Sequence, residues 1–201
     1  MRMRSPKNKT EILDTCEFYL DENMFLNDNP IYLEIGIGKG DFILNMALSY
    51  PNINFIGVEK QTSVAVVAIK KINNYKPKNL KILISDVKEF PSFLLNKIDL
   101  IYLNFSDPWP KKGHAKRRLT HENFLKIYDL LFKKKKHIIL KTDNADFYQF
   151  SKKSLLDYGY AIINESLDLH NSNIRSLPTE YERKFSSLGY KIKYIEVEKK
   201  P

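Results

Sequence analysis

Three short apolar segments in the first half of the chain each carry an acidic residue at or near their end. Glu34 lies in the segment IYLEI, Glu59 follows INFIGV, and Asp86 closely follows LKILI. A carboxylate at the end of a buried strand can accept hydrogen bonds from both hydroxyls of a ribose, as Glu59 would, or from an adenine amino group, as Asp86 would. The alternative for each acid is structural, because acids often cap the first turn of a helix.

A glycine-rich turn, EIGIGKG, continues the first of these segments. Gly36, Gly38 and Gly40 stand at alternate positions, and glycine lets the backbone turn sharply and approach a ligand where a side chain would clash. The spacing differs from the G-x-G-x-x-G pattern of dinucleotide-binding sites. Together with the three acids, the turn resembles the S-adenosylmethionine site of Rossmann-like methyltransferases.

The stretch SDPWPKKGHAKRR, residues 106–118, combines an acid, two prolines, the only tryptophan and a run of cations. The residue before a proline is kept away from the helical conformation, so Asp107 is predicted to be extended at the end of an apolar segment. Trp109 could stack on a base or pack under the loop. The cations could hold phosphate groups or form a solvated surface; they are Lys111, Lys112, Lys116, Arg117 and Arg118.

The chain has a net charge of +9, and the excess is confined to two short runs. One run is the group of cations in residues 106–118, and the other is the four lysines of residues 133–136. A local basic patch favours a phosphate-rich partner such as nucleic acid. Two interpretations of the four lysines stay open: they close a helix, where cations complement the helix dipole, or they contact a nucleic-acid backbone.

Short apolar runs alternate with segments of helical periodicity along the chain. The predicted strands span residues 31–35, 53–58, 80–84, 98–104, 137–142, 159–168 and 190–197, and the predicted helices span 40–49, 61–75, 120–132 and 144–157, with a helix-prone segment at 179–187. Near-continuous apolar strands separated by helices predict a parallel sheet with helices on both faces. We therefore expect an α/β, doubly wound, mostly parallel seven-stranded sheet. Ligands of such sheets bind beyond the carboxyl ends of the strands.

The 201 residues match the size of one domain, and we expect a single domain whose residues 1–30 form an N-terminal extension with one helix near 10–20. The first residues, MRMRSPKNK, lack the apolar run of a signal peptide, and no stretch approaches the length of a membrane span. The protein is therefore predicted to be cytoplasmic and free of the membrane. The single Cys16 excludes an intramolecular disulfide. The four histidines lie in separate segments, so no metal site is expected.

Four motifs together resemble the bacterial tRNA (guanine-N7-)-methyltransferase family. They are EIGIGKG, GVEK, the loop SDPWPKKGHAKRRL and, near the C-terminus, TEYERKF at residues 179–185. They occur in the family's order over nearly the whole chain, whose start also carries Arg2 and Arg4. The G-x-G-x-G turn is shared by many methyltransferases, whereas the DPWPKK loop combined with a later T-x-Y-E is specific. The resemblance implies methyl transfer from S-adenosylmethionine to N7 of the guanine at position 46, in the variable loop of tRNA.

The resemblance also implies a role for each matching residue, with Asp107 both at the catalytic centre and in contact with the methyl donor. The donor would be bound by Glu34, Gly36, Gly38, Gly40, Glu59, Asp86 and Asp107, the guanine by Lys111, Asp143, Thr179, Tyr181 and Glu182, and the rest of the tRNA by Lys112, His114, Lys116, Arg117 and Arg118. Gly113 departs from the family, which usually has another cation there, and this removes one potential phosphate contact. The protein would act as a monomer or a homodimer.

Two other functions stay open. The sequence Asp-Pro-Trp is similar to the acid/amide-Pro-aromatic loop of amino-methyltransferases, which act on adenine or on small molecules. Those enzymes usually have a second proline directly after the first, where this chain has Trp109. The other alternative is a non-catalytic RNA-binding module that keeps the fold. The presence of Glu34, Glu59 and Asp86 argues against it.

Overall fold

The computed structural model describes residues 8–200, so the arginine-bearing start with Arg2 and Arg4 lies outside the described residues. The chain divides into two compact units, Met1–Phe93 and Leu94–Pro201. No helix within residues 8–200 is long and apolar enough to cross a membrane.

The first unit is built on three parallel strands. They are β1 (Ile31–Ile35), β2 (Asn54–Val58) and β3 (Leu80–Leu83), paired in the order β3-β2-β1. The helices are α1 (Lys9–Asp14), α2 (Asp41–Ser49) and α3 (Thr62–Asn73), with 3-10 helices at Val87–Glu89 and Ser92–Leu94. Every residue of β2 is buried, because the strand lies between two others and its side chains are covered on both faces.

The segment after α1 pairs with the outer edge of β3. The N–H group of Leu20 donates to the carbonyl oxygen of Ile82 at 2.9 Å, and the N–H group of Ile82 donates to the carbonyl oxygen of Phe18 at 2.7 Å. These hydrogen bonds satisfy backbone groups that an edge strand would otherwise expose. The N-terminal helix predicted near residues 10–20 thus ends at Asp14, and the chain that follows it pairs with β3.

The second unit combines parallel and antiparallel pairing. Its strands are β4 (Leu100–Asn104), β5 (Lys136–Thr142), β6 (Ala161–Ser166) and β7 (Lys193–Lys199), in the order β4-β5-β7-β6. Strands β4 and β5 are parallel, and β7 is antiparallel to both β5 and β6. The helices are α4 (Glu122–Leu131), α5 (Ala145–Asp157) and α6 (Glu180–Ser187), with 3-10 helices at Lys112–Arg117 and Leu169–Asn171.

The predicted α/β architecture, a mostly parallel seven-stranded sheet with helices, is confirmed. Each predicted strand and helix is present, with its ends shifted by a few residues. The fourth strand begins at Leu100 rather than at residue 98. The reason is that Ile98 forms an isolated bridge with Phe132, and its carbonyl oxygen accepts a hydrogen bond from the N–H group of Lys133 at 2.9 Å.

Candidate functional site

The glycine-rich turn joins β1 to α2 in the first unit. Its glycines have positive φ angles of +81° at Gly36, +56° at Gly38 and +77° at Gly40. The N–H groups of Gly36 and Ile37 donate to the carbonyl oxygen of Val58 at 2.8 and 3.1 Å, which fixes the turn against the end of β2. A Cβ atom at Gly36 or Gly38 would meet nothing within 4 Å. The backbone at these two positions therefore faces open space that a closely approaching ligand can fill.

Gly40 differs from the other two glycines of the turn. A Cβ atom at Gly40 would lie 2.9 Å from the Cβ atom of Ala68 in α3. The missing side chain therefore lets the start of α2 pack closely against α3. We conclude that Gly40 serves packing, whereas Gly36 and Gly38 leave the backbone accessible.

Glu59 connects the turn to the end of β2. Its Oε2 atom accepts a hydrogen bond from the N–H group of Gly38 at 3.1 Å, and its Oε1 atom accepts one from the N–H group of Gln61 at 2.9 Å. The side chain is only 9% exposed, so these bonds hold it in one orientation. The two oxygens of a carboxylate together offer about four lone-pair positions, so a carboxylate can accept several hydrogen bonds at once.

Asp86 follows β3 and is held by two lysines. Its Oδ1 atom accepts a hydrogen bond from the backbone N–H group of Lys88 at 3.0 Å, and its Oδ2 atom lies 2.5 Å from Nζ of Lys60. The hydrogen bond from Lys60, supported by that from Lys88, lowers the pKa of Asp86 below its ordinary value. Asp86 is therefore a carboxylate at neutral pH.

The helix-cap alternative holds for Asp86 and fails for the other two acids. Asp86 is the N-cap of the 3-10 helix that follows it. The N-caps of α2 and α3 are Gly40 and Gln61. Glu34 lies within β1 and is 2% exposed, so it is a buried carboxylate on a strand, which needs a reason other than capping.

Residues 106–108, in the second unit, lie between two residues with left-handed backbone conformations. Phe105 has a φ of 51° and Trp109 a φ of 43°, values that non-glycine residues adopt rarely. Such residues cost about 1–3 kcal/mol each and persist where the surrounding structure holds them in place. The N–H group of Phe105 donates to the carbonyl oxygen of Lys141 at 2.8 Å, so pairing with β5 continues to Phe105. Asp107 is exposed two residues beyond this last pair, at the carboxyl end of β4.

Arg118 holds the loop that follows Asp107. Its Nε atom donates to the carbonyl oxygen of Pro108 at 2.9 Å, and its Nη2 atom donates to the carbonyl oxygen of Trp109 at 3.0 Å. The guanidinium also lies 4.3 Å from the ring centroid of Phe150. Arg118 is thus engaged within the protein, although the sequence grouped it with the cations that would contact tRNA.

The other cations of residues 106–118 are exposed on the surface. Lys112, Lys116 and Arg117 belong to the 3-10 helix Lys112–Arg117, which Lys111 precedes. This helix places several positive side chains on one short element, which suits contact with phosphate groups.

Trp109 packs within its own loop. Its ring lies edge-on to the ring of His114 at 5.8 Å, and the guanidinium of Arg117 lies 4.9 Å from its centroid. Of the two interpretations of Trp109, this geometry supports packing under the loop. The position of His114, which was predicted to contact tRNA, is set by the same contact.

Of the two interpretations of residues 133–136, the one in which the lysines lie in the last turn of a helix is wrong. Helix α4 ends at Leu131, and Lys136 is the first residue of β5. Lys135 pairs with Glu198, and Nζ of Lys136 lies 2.9 Å from Oδ2 of Asp129. Phe132, the C-cap residue of α4, is buried and bridges Ile98, and the four lysines follow it.

Asp143 and Tyr181 meet although they are distant in sequence. The hydroxyl of Tyr181 donates to Oδ2 of Asp143 at 3.3 Å, and the Tyr181 ring packs between Phe105 and Phe185 at centroid distances of 4.8 and 4.0 Å. Burial and the neighbouring Asp143 carboxylate raise the pKa of Tyr181 to about 12, so the phenol stays protonated at neutral pH. Asp143 is not the cap of α5, because that position is Asn144.

Thr179 and Glu182 form the capping box that begins α6. The hydroxyl oxygen of Thr179 accepts a hydrogen bond from the N–H group of Glu182 at 2.8 Å, and Oε2 of Glu182 accepts one from the N–H group of Thr179 at 3.2 Å. Oε2 also lies 3.0 Å from Nζ of Lys141. Lys141 was not among the predicted site residues, although a lysine that follows three apolar residues in a predicted strand was a signal.

The predicted site residues are therefore distributed over the two units. The first unit holds Glu34, Gly36, Gly38, Gly40, Glu59 and Asp86 at the carboxyl ends of its strands, and the second unit holds Asp107, the basic loop, Asp143, Thr179, Tyr181 and Glu182. The structure brings Asp143 to Tyr181, and Thr179 to Glu182.

Comparisons with known proteins define first a fold and a class. A family model described as "Putative methyltransferase" matches residues 28–195. A solved antibiotic-related methyltransferase has a TM-score of 0.61 at 20% identity, with 99% of this chain and 97% of that chain covered. The solved structure of an S-adenosylmethionine-dependent methyltransferase from Aquifex aeolicus has a TM-score of 0.59 at 13% identity, with 96% of this chain and 99% of that chain covered. The protein thus has the Rossmann-like methyltransferase fold and belongs to the methyltransferase class.

Sequence relatives narrow this class. A tRNA (guanine-N(7)-)-methyltransferase of Bacillus subtilis (strain 168) is 48% identical over 177 residues, which cover 87% of this chain and 83% of the relative. A protein of the same name from Mycoplasmopsis pulmonis (strain UAB CTIP) is 42% identical over 198 residues, which cover 98% of both chains. The chain belongs to the tRNA (guanine-N(7)-)-methyltransferase family.

Proposed function

We propose that this protein transfers the methyl group of S-adenosylmethionine to N7 of guanine 46 in the variable loop of tRNA. The observation that carries the proposal is the 48% identity, over 87% of the chain, to a relative named tRNA (guanine-N(7)-)-methyltransferase. The position of the guanine in the variable loop comes from the family resemblance. The protein would work in the cytoplasm, as a monomer or a homodimer.

The methyl donor would be bound by the carboxyl ends of the strands in the first unit. The open backbone at Gly36 and Gly38 would allow the close approach of a ligand. The carboxylate of Glu59, already oriented by two N–H groups, would accept hydrogen bonds from the ribose hydroxyls. The buried Glu34 and the ionised Asp86 would orient the cationic amino-acid end and the adenine amino group, respectively. The donor supplies a methyl group on a positively charged sulfur.

The guanine would be held by the second unit. N7 has an in-plane lone pair and needs no deprotonation, so the residues have to align N7 with the methyl group. The carboxylate of Asp143 can accept hydrogen bonds from the guanine N1–H and amino groups, with the protonated Tyr181 hydroxyl beside it. Lys111 would contact the same nucleotide.

Asp107 would stabilise the charge that develops during transfer. The purine becomes cationic as the methyl arrives, and a nearby carboxylate favours that charge. The strained residues that flank residues 106–108 would hold Asp107 in a defined position. Lys112, His114, Lys116 and Arg117 would contact the phosphate backbone, while Arg118 supports their loop.

The test is methylation of an unmodified tRNA transcript with labelled methyl donor, followed by cleavage chemistry specific for N7-methylguanine. We expect one cleavage position, in the variable loop. The matched control is a transcript with 7-deazaguanine at that position, which lacks the N7 atom and should take up no label. Label on an adenine would favour an amino-methyltransferase. Binding of tRNA with no label on any base, and no binding of the donor by calorimetry, would favour a non-catalytic RNA-binding module.

A further inference from the structure

Lys141 is a fully buried lysine next to the carboxyl end of β5. Its side chain is 0% exposed, which is rare for lysine unless it is paired. Its Nζ atom donates to the carbonyl oxygen of Leu177 at 2.8 Å and to Oε2 of Glu182 at 3.0 Å. The ammonium group therefore ties β5 to the segment that contains Thr179 and Tyr181.

Glu182 is equally buried, with 1% of its side chain exposed. Its Oε2 atom accepts hydrogen bonds from Lys141 and from the N–H group of Thr179, and its Oε1 atom lies 3.3 Å from Nε2 of His170. Both carboxylate oxygens are thus engaged by the protein. Because only 1% of the Glu182 side chain is exposed, a guanine edge could reach it only if the residues that bury this paired carboxylate moved, and disturbing a buried ion pair is costly.

We propose that Lys141 and Glu182 are positioning residues of the guanine site and that Glu182 does not touch the guanine. The buried pair fixes residues 177–182 on β5, so that Tyr181 is held against Asp143, which directly follows β5 and lies two residues after Lys141. Asp143 accepts hydrogen bonds from the N1–H and amino groups of the guanine. The Lys141–Glu182 pair holds the segment whose Tyr181 orients Asp143. This inference rests on the proposed function, because it assigns roles within the same site.

Three variants test the pair: Lys141→Met, Glu182→Gln and the double variant. Each single change leaves one buried charge without its partner, which is strongly unfavourable, whereas removal of both charges can be nearly neutral. Gln also preserves the capping box, because it can replace Glu at that position. We expect each single variant to lose about 10- to 100-fold in kcat/KM, and the double variant to return to within about threefold of the wild type. If the double variant stays as inactive as Glu182→Gln, the positioning role is wrong.

The choice of base gives a readout that a general loss of stability would not change. Inosine lacks the 2-amino group of guanine and keeps N7, so transcripts with inosine at the target report which residue accepts from that amino group. We expect the guanine-to-inosine ratio of kcat/KM to stay within about twofold of the wild type in Glu182→Gln and Lys141→Met, and to fall in Asp143→Asn. A ratio that falls about tenfold in Glu182→Gln would overturn the proposal.

Separate controls distinguish failure of this inference from misfolding of a variant and from failure of the proposed methyl transfer. All assays are run well below the unfolding temperature of each variant. If a single variant does not fold, the double variant decides alone: near-normal activity supports the proposal, and a loss of more than about tenfold at unchanged stability contradicts it. Absence of label in the wild type would instead refute the proposed function.

Discussion

The guanidinium of Arg118 donates from Nε to the carbonyl oxygen of Pro108 at 2.9 Å, and so ties the end of the basic loop to the residue after Asp107. The cations of residues 106–118 therefore differ in their contacts: Arg118 donates to two carbonyl groups inside the protein, whereas the other cations are exposed.

We expect Lys116→Ala with Arg117→Ala to weaken tRNA binding and to flatten its salt dependence by about 1.5 in the slope of log K against log salt, since each lost phosphate contact contributes about 0.7–0.9. Arg118→Ala is the matched control. It should leave that slope nearly unchanged and lower kcat and the unfolding temperature, because it releases the carbonyl groups of Pro108 and Trp109. Filter binding over a salt series measures the slope, and equal slopes for all variants would contradict the phosphate role.

Gly113 offers the reverse experiment. It lies within the 3-10 helix Lys112–Arg117, and a Cβ atom there would meet nothing within 4 Å. We expect Gly113→Lys to restore a phosphate contact, with a salt slope steeper by about 0.7–0.9 and tighter tRNA binding at low salt. Gln149→Lys on the surface of α5 adds the same charge elsewhere and serves as the control. If both variants steepen the slope equally, the effect comes from net charge and not from the loop.

Asp107→Ala should lower kcat far more than it lowers tRNA affinity, because the carboxylate acts on charge that develops only during transfer. We expect kcat to fall by at least about 100-fold, which corresponds to an increase of about 3 kcal/mol in the activation free energy. Asp146→Ala, another exposed acid at the start of α5, is the control. Activity of Asp107→Ala within about threefold of the wild type, under about 1 kcal/mol, would show that this role is wrong.

The two kinds of glycine in the turn predict different losses. Gly36→Ala and Gly40→Ala both place a side chain at positive φ, at a cost of about 1–2 kcal/mol. Gly40→Ala also brings Cβ within 2.9 Å of Ala68, so we expect it to lower the free energy of unfolding further, by about 1–3 kcal/mol. Gly36→Ala should instead weaken binding of the methyl donor more. Urea titration and calorimetry measure the two effects, and the opposite ranking would refute the distinction.

The pair of His137 on β5 and Glu196 on β7 predicts that the stability of the protein depends on pH. Burial lowers the pKa of His137, against the effect of Glu196, whose Oε1 atom lies 2.8 Å from Nε2 of His137. Burial raises the pKa of Glu196, but hydrogen bonds from Asn164, His137 and Tyr194 outweigh it and leave the pKa below its ordinary value.

Both pKa values are lower in the folded protein than in the unfolded chain. The unfolded chain therefore binds more protons than the folded one in the pH ranges where His137 and Glu196 titrate. The contribution of His137 to the free energy of unfolding is fully present above its unfolded pKa of about 6.5 and is lost as the pH falls through its folded pKa. The contribution of Glu196 is lost at still lower pH, below about 4.3. We expect the free energy of unfolding, from urea titrations between pH 7.5 and 4, to fall with pH. His137→Gln should flatten the part just below about pH 6.5, and an unchanged profile would contradict this assignment.

Much of this molecule follows from local sequence. Strands such as IYLEI and helices such as α3 could be predicted because apolar periodicity is a property of neighbouring residues. The turn at Gly36 and the positions of Glu59 and Asp107 after apolar strands were visible for the same reason. The sequence by itself thus determined the order of elements, the fold class and the candidate residues.

Only the tertiary structure decided which of these residues have their functional groups available. Lys141 and Glu182 are 41 positions apart, and their burial and pairing depend on how β5 packs against the segment before α6. In the same way, Arg118 differs from the exposed cations beside it because its guanidinium donates hydrogen bonds to the carbonyl groups of Pro108 and Trp109. The physical reason is that burial and hydrogen bonding depend on contacts between residues that are distant in sequence, and no local pattern records which partner a charged side chain will find.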